Sequence, residues 1–243
     1  VNEEQRKIIK ACIRFLNSLV TKSKGEVWRS SELSAKANVS QWHQLCLENG
    51  AVLDKVNYEL YVDLSLSINQ IRSFIRKSYR PLVSSGLKKW TVNVMDEYCE
   101  NTWSDFRTLH KHVAGRVTRS IESWDIQKNA IKAGDAFLVY VSNSEGKMVG
   151  GGYFDMSVNE GNYSVATYDK SLTDEPLGHM VQYQAILTLK EKGRSLYYLG
   201  SRFYSENLPS ISKKLIDITS FKAGFSTFMV PNVVLLFSTS DKK

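Results

Sequence analysis

The stretch "PLGHMVQYQAILTLKEKGRSLYYLGS" at residues 176–201 decides the fold of this chain. Its first part has the apolar spacing of an amphipathic helix, with Pro176 near the start and Gly193 just past the end, where helices favour these residues. The run "SLYYLGS" that follows predicts a strand. A helix that leads into a strand and then into further helix and strand signals is typical of a sheet covered by helices.

The segment after this unit predicts one more helix and the end of the sheet. "SKKLIDITSFKAG" (212–224) has helical spacing, and "FSTFMVPNVVLLFS" (225–238) is typical of closing strands. Between them lies "FKAGF". We expect Gly224 to end the helix in a left-handed conformation and Lys222 to complement the negative end of the helix dipole.

The segment before the unit predicts an antiparallel meander, because three short apolar runs are joined by turns rich in Gly and Asn. The runs are "AFLVYVS", "MVGGGYFDM" and "YSVATYD". Further upstream, "YELYVDLS" (58–65) and "KKWTVNVMD" (88–96) also predict strands. Between these lies a helix that we expect to be disrupted around Pro81, and a long helical region follows at 102–133.

Residues 1–56 differ from the rest, since helical spacing over 3–20 and a short helix ending at Gly50 leave no obvious strand pair there. We therefore predict an α+β fold with a mixed, mostly antiparallel central sheet flanked by helices. The predicted division is a helical N-terminal segment (1–56) and one larger domain (57–243). The chain begins with valine, which is typical of a trimmed protein or of a fragment of a longer one.

Composition narrows the class of protein. The chain has 243 residues, of which 42% are hydrophobic, but no apolar run approaches the roughly 18 to 20 residues that cross a bilayer. The three cysteines are far apart and match neither a disulfide framework nor a metal site, so we predict reduced thiols, a cytoplasmic location and no metal. The net charge of +7 favours an anionic partner without choosing among nucleic acid, membrane and phosphate-bearing molecule.

The turn between "ATYD" and "PLGHMVQ" is the predicted ligand position. In sheets of this kind, ligands bind where neighbouring strand ends separate. The free amides at the start of the next helix favour negative charge, so we expect a ligand phosphate there.

Three stretches resemble the Fem-type branch of the GNAT acyltransferase superfamily. "YELYVDLSLSINQIRSFIRKSYRPLVSSG" resembles the opening of that branch, a strand ending in Asp-Leu-Ser and a helix with Lys-x-x-Arg. "DFRTLHKHVAGR" resembles its middle helix. "YQAILTLKEKGRSLYYLGSR" with "LIDITSFKAGFST" resembles its closing helix–strand–helix unit, in which Phe-Lys-x-Gly-Phe recurs. Together they cover about residues 58–235.

The chain departs from the family in three ways. Fem-type enzymes usually have two such domains, and this chain has room for one. The coiled-coil arm of some members is not visible. The glycine-rich loop that binds the CoA pyrophosphate in ordinary GNAT enzymes is not visible either, and its nearest equivalent, "DEPLGH", has one glycine.

The resemblance implies a GNAT-like fold and an N-acyl or aminoacyl transferase. The donor would be an acyl-CoA or an aminoacyl-tRNA, and the second would make tRNA a partner and suit the basic charge. The acceptor would be the amine of an amino sugar, a nucleotide-linked glycan precursor or a cell-wall precursor. The alternative is a non-catalytic GNAT-shaped module that binds a glycan, a nucleotide or a protein. A nucleic-acid-binding protein is a third hypothesis, but no helix has a dense basic stripe.

The predicted catalytic residues are Lys222, His179 and Asp169. The resemblance places Lys222 at the donor carbonyl and Phe221 along the channel. His179, at the start of the crossover helix, is a candidate base or a candidate hydrogen-bond donor to a phosphate, because histidine titrates near neutrality. Asp169 either orients an amine or caps the next turn, and capping is the commoner role.

The predicted substrate-binding residues cluster in one helical stretch and at strand ends. His112, Arg116 and Arg119 would share one helix face, and paired guanidinium groups suit carboxylate or phosphate. A solvated charged face is the alternative. The other candidates are Trp124, Gln127, Tyr168, Gln182, Arg202, Tyr204 and Phe221.

Overall fold

The structure is a computed structural model that describes residues 2–33, 39–205 and 211–238. Eight α-helices occur in these ranges: α1 (Glu3–Lys22), α2 (Gln41–Glu48), α3 (Ile68–Phe74), α4 (Tyr79–Lys89), α5 (Glu100–Ala114), α6 (Ile121–Ala133), α7 (Leu177–Glu191) and α8 (Lys213–Ala223). The strands in the same ranges are β1 (Val27–Leu33), β2 (Val52–Asp63), β3 (Thr91–Met95), β4 (Ala136–Ser142), β5 (Met148–Met156), β6 (Glu160–Tyr168), β7 (Leu196–Arg202) and β8 (Phe228–Ser238).

The chain divides into two compact units. One contains Val1–Glu59, Ser201–Ile211 and Met229–Lys243, and the other contains Leu60–Gly200 and Ser212–Phe228. The unit boundaries fall within β2, β7 and β8. The division at residue 56 that the sequence suggests stays a prediction.

In the first unit, β1 pairs antiparallel with β8, so that Val27 lies opposite Ser238 and Leu33 opposite Asn232. The predicted helical N-terminal segment (1–56) therefore also contains strand β1 and the beginning of β2. The strand β1 was not predicted because its pairing partner, β8, lies near the other end of the chain, so the sequence around β1 contains no hairpin signal that would predict a strand.

In the second unit, the strand order is β2-β7-β6-β5-β4-β3. The pairs β3–β4, β4–β5 and β5–β6 are antiparallel. β6 and β7 are parallel, and their pairing covers only Glu160–Asn162 against Leu196–Tyr198. Helix α7 packs on one face of the sheet, and α5 and α6 pack on the other. The predicted α+β class with a mostly antiparallel sheet is confirmed.

Local signals explain where most helices begin and end. The side chain of Asn2 accepts a hydrogen bond from the amide of Gln5 at the start of α1, and Ser67 does the same for Gln70 at α3. Gly115 ends α5 with a φ of 68°, and the hydroxyl of Ser120 then caps α6. The predicted helical region at 102–133 is therefore two helices.

Two further boundaries differ from the sequence-based prediction. The break within 67–86 falls between Phe74 and Tyr79, while Pro81 lies in the first turn of α4, where its missing amide hydrogen costs little. The closing segment is one strand, β8, which continues through Pro231.

Candidate functional site

A groove of about 990 Å³ lies in the second unit, along the end of β6, the turn after it, the start of α7 and one side of α8. It lies where β6 and β7 no longer pair, because both strands continue beyond Asn162 and Tyr198 without register between them. The groove includes the turn between β6 and α7, where the sequence predicts a ligand. The separated strands expose backbone and side chains that a continuous sheet would cover.

Lys222 projects into this groove from the last turn of α8. Its Nζ lies 4.8 Å from the centroid of the Tyr163 ring. The same Nζ is 3.1 Å from the place that a Cβ on Gly200 would occupy, so a side chain there would crowd the ammonium. Across the described ranges, no ion pair or hydrogen bond involves the Lys222 ammonium. Burial lowers the pKa of Lys222. The fold thus holds an unpaired amine in the groove.

Two tyrosines form the wall beside Lys222. The hydroxyl of Tyr163 lies 3.3 Å from that of Tyr168. Burial raises the pKa of both groups, so both hydroxyls carry their protons at neutral pH. Sequence alternation alone would place Tyr163 and Tyr168 on opposite faces of the strand. A bulge at Ser164 changes the register and brings them to the same face.

Gln182, a predicted substrate-binding residue, lies behind this wall and not along the groove. Its side chain is fully buried, and its Oε1 accepts a hydrogen bond of 2.6 Å from the hydroxyl of Tyr197. The position supports the packing of α7 on the sheet. A direct contact with a ligand in the groove is not part of this geometry.

The start of α7 opens into the groove. No side chain caps this helix, and Leu177 and Gly178 line the cavity. A Cβ on Gly178 would lie 3.2 Å from the Phe221 ring, so glycine lets α7 and α8 approach closely. The first amides of a helix and its dipole favour an anion. The structure therefore has an uncapped helix start within the same cavity as Lys222.

His179 lies in an aromatic cage. Its ring contacts Tyr79 edge-on at 4.4 Å between centroids and Phe221 at 5.1 Å. Burial, followed by the positive charge of Arg76, lowers the pKa of His179 to about 4. The imidazole is therefore neutral at pH 7 and is a weak base. Its predicted catalytic role stays a prediction, and the geometry supports a packing role.

Asp169 caps the one-turn 3₁₀ helix Lys170–Leu172. Its Oδ1 accepts hydrogen bonds from the amide (2.9 Å) and the hydroxyl (2.7 Å) of Ser171. These bonds lower the pKa of Asp169, so the carboxylate stays ionised and is a poor proton acceptor. This arrangement matches the capping alternative.

The packing of the "FKAGF" segment differs from what its sequence predicts. Gly224 has a φ of −68°, so the expected left-handed helix end is wrong. Glycine is needed there because a Cβ would lie 2.2 Å from Cε2 of Tyr79. Arg76 reinforces this contact, since its Nη1 donates to the Tyr79 hydroxyl and its Nη2 to the carbonyl of Ser220.

The predicted helix face of His112, Arg116 and Arg119 does not exist. Gly115 ends α5, so both arginines lie in the connection to α6. Arg116, Arg119 and Trp124 nevertheless line a second pocket of about 450 Å³, which does not include His112. Sequence reasoning missed Arg107 and Lys111 of that pocket, although their i, i+4 spacing on α5 indicates a shared face.

The remaining predicted residues lie elsewhere. Gln127 is buried on α6, and the hydroxyl of Tyr153 donates to its carbonyl. Arg202 and Tyr204 belong to the first unit, where the guanidinium carbon lies 4.8 Å from the tyrosine ring centroid. They are therefore not brought together with Lys222 within one unit.

The described residues contain no cluster of three His, Cys, Asp or Glu side chains placed to hold a metal ion. None of the helices in those ranges has both the length and the apolar character required to cross a membrane.

Comparison with known proteins identifies the fold. No family model and no curated protein sequence matches the chain. Among solved structures, FemX matches with a TM-score of 0.69 and 13% identity, over 96% of this chain and 78% of that chain. L-PGS from Bacillus licheniformis matches at 0.57 and 14% identity, over 83% and 66%.

A tandem GNAT protein from the clavulanic acid biosynthesis pathway matches at a TM-score of 0.55 and 10% identity, over 96% of this chain and 70% of that chain. At these identities the likeness concerns the fold. The chain has a GNAT-like fold similar to that of FemX, in agreement with the fold that its sequence predicts.

Proposed function

We propose that this chain is an N-acyl or aminoacyl transferase that moves an acyl group from a phosphate-bearing donor to an amine in the groove. The observation that carries the proposal is the unpaired, half-buried ammonium of Lys222 beside the uncapped start of α7. Burying a cation without a counter-charge lowers the stability of the fold, and a role of the ammonium in function explains why the lysine is placed there. The likeness to FemX and to a tandem GNAT protein supports the same activity.

In the proposed reaction, the acceptor nitrogen attacks the acyl carbonyl carbon. A C–N bond forms, and the bond from that carbon to the sulfur or oxygen of the donor breaks. The ammonium of Lys222 stabilises the developing oxyanion, as preorganised donors do in acyl transfer. Tyr168, whose hydroxyl keeps its proton at neutral pH, is our candidate to protonate the leaving group, and its phenolate then takes the proton that the attacking nitrogen releases.

The acceptor amine loses its proton without help from the predicted bases. His179 has a pKa of about 4, and the pKa of Asp169 is also lowered. We therefore propose that the amine binds already neutral, after losing its proton to solvent. The rate is then expected to rise with pH until the acceptor amine is deprotonated.

We propose the start of α7 as the phosphate site of the donor, whether that donor is an acyl-CoA or an aminoacyl-tRNA. The proposed acceptor is an amino sugar, a nucleotide-linked glycan precursor or a cell-wall precursor. The choice of acceptor rests on the family resemblance alone. Phe221 is proposed to line the channel next to Gly178, because a Cβ at the glycine would lie 3.2 Å from its ring.

The test is product formation with acetyl-CoA and with aminoacyl-tRNA against a panel of amines, measured by mass spectrometry. The variant Lys222→Met is compared with Lys214→Met, an exposed lysine on the same helix. Loss of one oxyanion donor lowers kcat by about 10²- to 10³-fold. We expect that loss in Lys222→Met alone. Equal rates in the two variants would remove Lys222 from the reaction.

A second candidate function is a non-catalytic module that binds a glycan, a nucleotide or a protein in the same groove. The observation in its favour is that His179 and Asp169 are both poor bases at neutral pH. It predicts saturable binding of a nucleotide sugar with no product from either donor. Transfer to any amine in the panel would reject it.

A further inference from the structure

The second pocket of the larger unit has no part in the proposed transfer. It has a volume of about 450 Å³ and lies between α5, the connection 115–120 and the start of α6. It shares no lining residue with the groove that contains Lys222.

Four basic side chains converge on this pocket: Arg107, Lys111, Arg116 and Arg119. No acidic residue lines it. Within the part of the chain that the structure describes, none of the four makes a hydrogen bond or a salt bridge. One acidic group, Asp125, interacts with Arg107 among the four: it pairs with Lys128 at 2.7 Å, and its pKa is also lowered by Arg107. Like charges gathered without neutralisation attract anions.

Trp124 holds two of these cations in place. The guanidinium carbons of Arg107 and Arg119 lie 5.8 and 5.7 Å from its ring centroid. The indole is only 6% exposed, so it is a fixed support. His110 packs edge-on against the same ring at 5.2 Å, and its pKa is lowered by burial and by the charge of Arg119. The pocket therefore has arginines that are oriented before any ligand arrives.

We propose that this pocket binds a phosphate group, as a phosphate ester or a diphosphate, through Arg107, Lys111, Arg116 and Arg119. Guanidinium groups match phosphate oxygens in pairs, and the volume accommodates a diphosphate. Two exposed apolar side chains, Val117 (70%) and Ile121 (68%), flank the basic residues. The phosphate can thus come from a free compound or from a lipid headgroup.

The first arm of the test uses inorganic pyrophosphate and isothermal titration calorimetry on the whole chain at low salt. The double variant Lys111→Gln/Arg116→Gln is compared with Lys7→Gln/Arg14→Gln, which removes the same charges from exposed positions on α1. Neither changed residue of the pocket variant contacts Trp124 in the pairs described above, so we expect both variants to fold. We expect affinity to fall at least about tenfold in the pocket variant and less than twofold in the control.

The second arm distinguishes the sources by co-sedimentation with vesicles of phosphatidylglycerol or phosphatidylcholine. If the source is a lipid, wild type binds only the anionic vesicles, and Val117→Ser weakens that binding without changing pyrophosphate affinity. If the source is a free compound, pyrophosphate binds and the vesicles do not. The proposal is overturned if neither probe binds saturably, or if the α1 control loses as much affinity as the pocket variant.

Discussion

The ammonium of Lys222 lies over the ring of Tyr163, 4.8 Å from its centroid, at the point where β6 and β7 cease to pair. A cation over an aromatic face gains about 0.5 to 2 kcal/mol. Burial acts against that gain and lowers the pKa of Lys222. No acidic side chain in the described ranges pairs with it.

This arrangement predicts that Lys222→Met stabilises the protein. The substitution keeps an unbranched side chain only one atom shorter and removes a half-buried charge, so we expect the melting temperature to rise by about 1 to 4 °C. Differential scanning calorimetry measures it, and Lys214→Met on the exposed face of α8 is the control. A lower melting temperature in Lys222→Met would show that the cation–ring contact outweighs the desolvation.

His179 predicts a specific pH dependence of stability. Its pKa is about 4 in the folded protein and near 6.5 as an ordinary histidine. Between these values the unfolded chain binds more protons, so the contribution of His179 is complete above about pH 6.5 and is lost as the pH falls toward 4. We expect His179→Phe to show a smaller difference in melting temperature between pH 7.5 and pH 5 than wild type.

The control for that prediction is His112→Gln, since His112 is exposed. It should keep the wild-type difference. If His179→Phe loses as much stability on acidification as wild type, the aromatic cage does not hold His179 neutral.

A side chain at position 224 is expected to clash with one neighbour, the ring of Tyr79. In Gly224→Ala the new Cβ would lie 2.2 Å from the Tyr79 ring, and overpacking of this kind costs about 1 to 3 kcal/mol in the free energy of unfolding. The backbone φ of −68° suits alanine, so the ring alone causes the loss. Urea denaturation of Gly224→Ala in a Tyr79→Leu background should show less than half of that cost. Equal costs in both backgrounds would place the strain in the backbone.

A buried cluster in the first unit has the spatial arrangement of a hydrolase triad, with Ser30 next to His43 and His43 next to Glu32. We expect this cluster to contribute to stability and not to catalysis. The Ser30 hydroxyl lies 3.0 Å from His43 Nε2, and His43 Nδ1 lies 3.5 Å from Glu32 Oε2. Ser30 is 9% exposed and His43 is 1% exposed, and the indole of Trp42 donates to the same hydroxyl. A substrate does not reach this serine.

We expect Ser30→Ala to lower the free energy of unfolding by about 1 to 3 kcal/mol, because it removes a hydrogen-bond partner from the buried His43 ring and from the partly buried Trp42 indole. Ser31→Ala, one position along β1, removes only an exposed hydrogen bond to Asn232 and should change it by less than about 0.5 kcal/mol. Chemical denaturation measures both. Similar small losses in the two variants would mean that the buried cluster contributes little.

The elements that could be predicted are those with their own local signals. The meander β4–β6, α7, β7 and α8 follow from alternation, helical spacing and the proline and glycine at helix ends. β1 could not be predicted because its partner β8 is remote in sequence. The break between α5 and α6 depends on Gly115 and Ser120. It was not predicted because the apolar residues on both sides of it have helical spacing.

The candidate site was predicted in outline and not in its contacts. The Phe-Lys-x-Gly-Phe resemblance singles out Lys222, and the helix start at Pro176 singles out the turn before α7. Tyr163 was missed because the bulge at Ser164 moves it to the other face of β6. His179 appeared to be a base because its burial among aromatic rings cannot be seen in the chain.

The sequence by itself determined the kind and order of most elements and the basic charge, since these depend on local patterning and composition, and its resemblance to the Fem-type branch pointed to the GNAT-like fold. Only the tertiary structure decided which amine is left unpaired, which histidine is neutral and which arginines share a pocket. The physical reason is that charge pairing and burial depend on residues far apart in sequence, and these are brought together only when the strands separate and the helices pack.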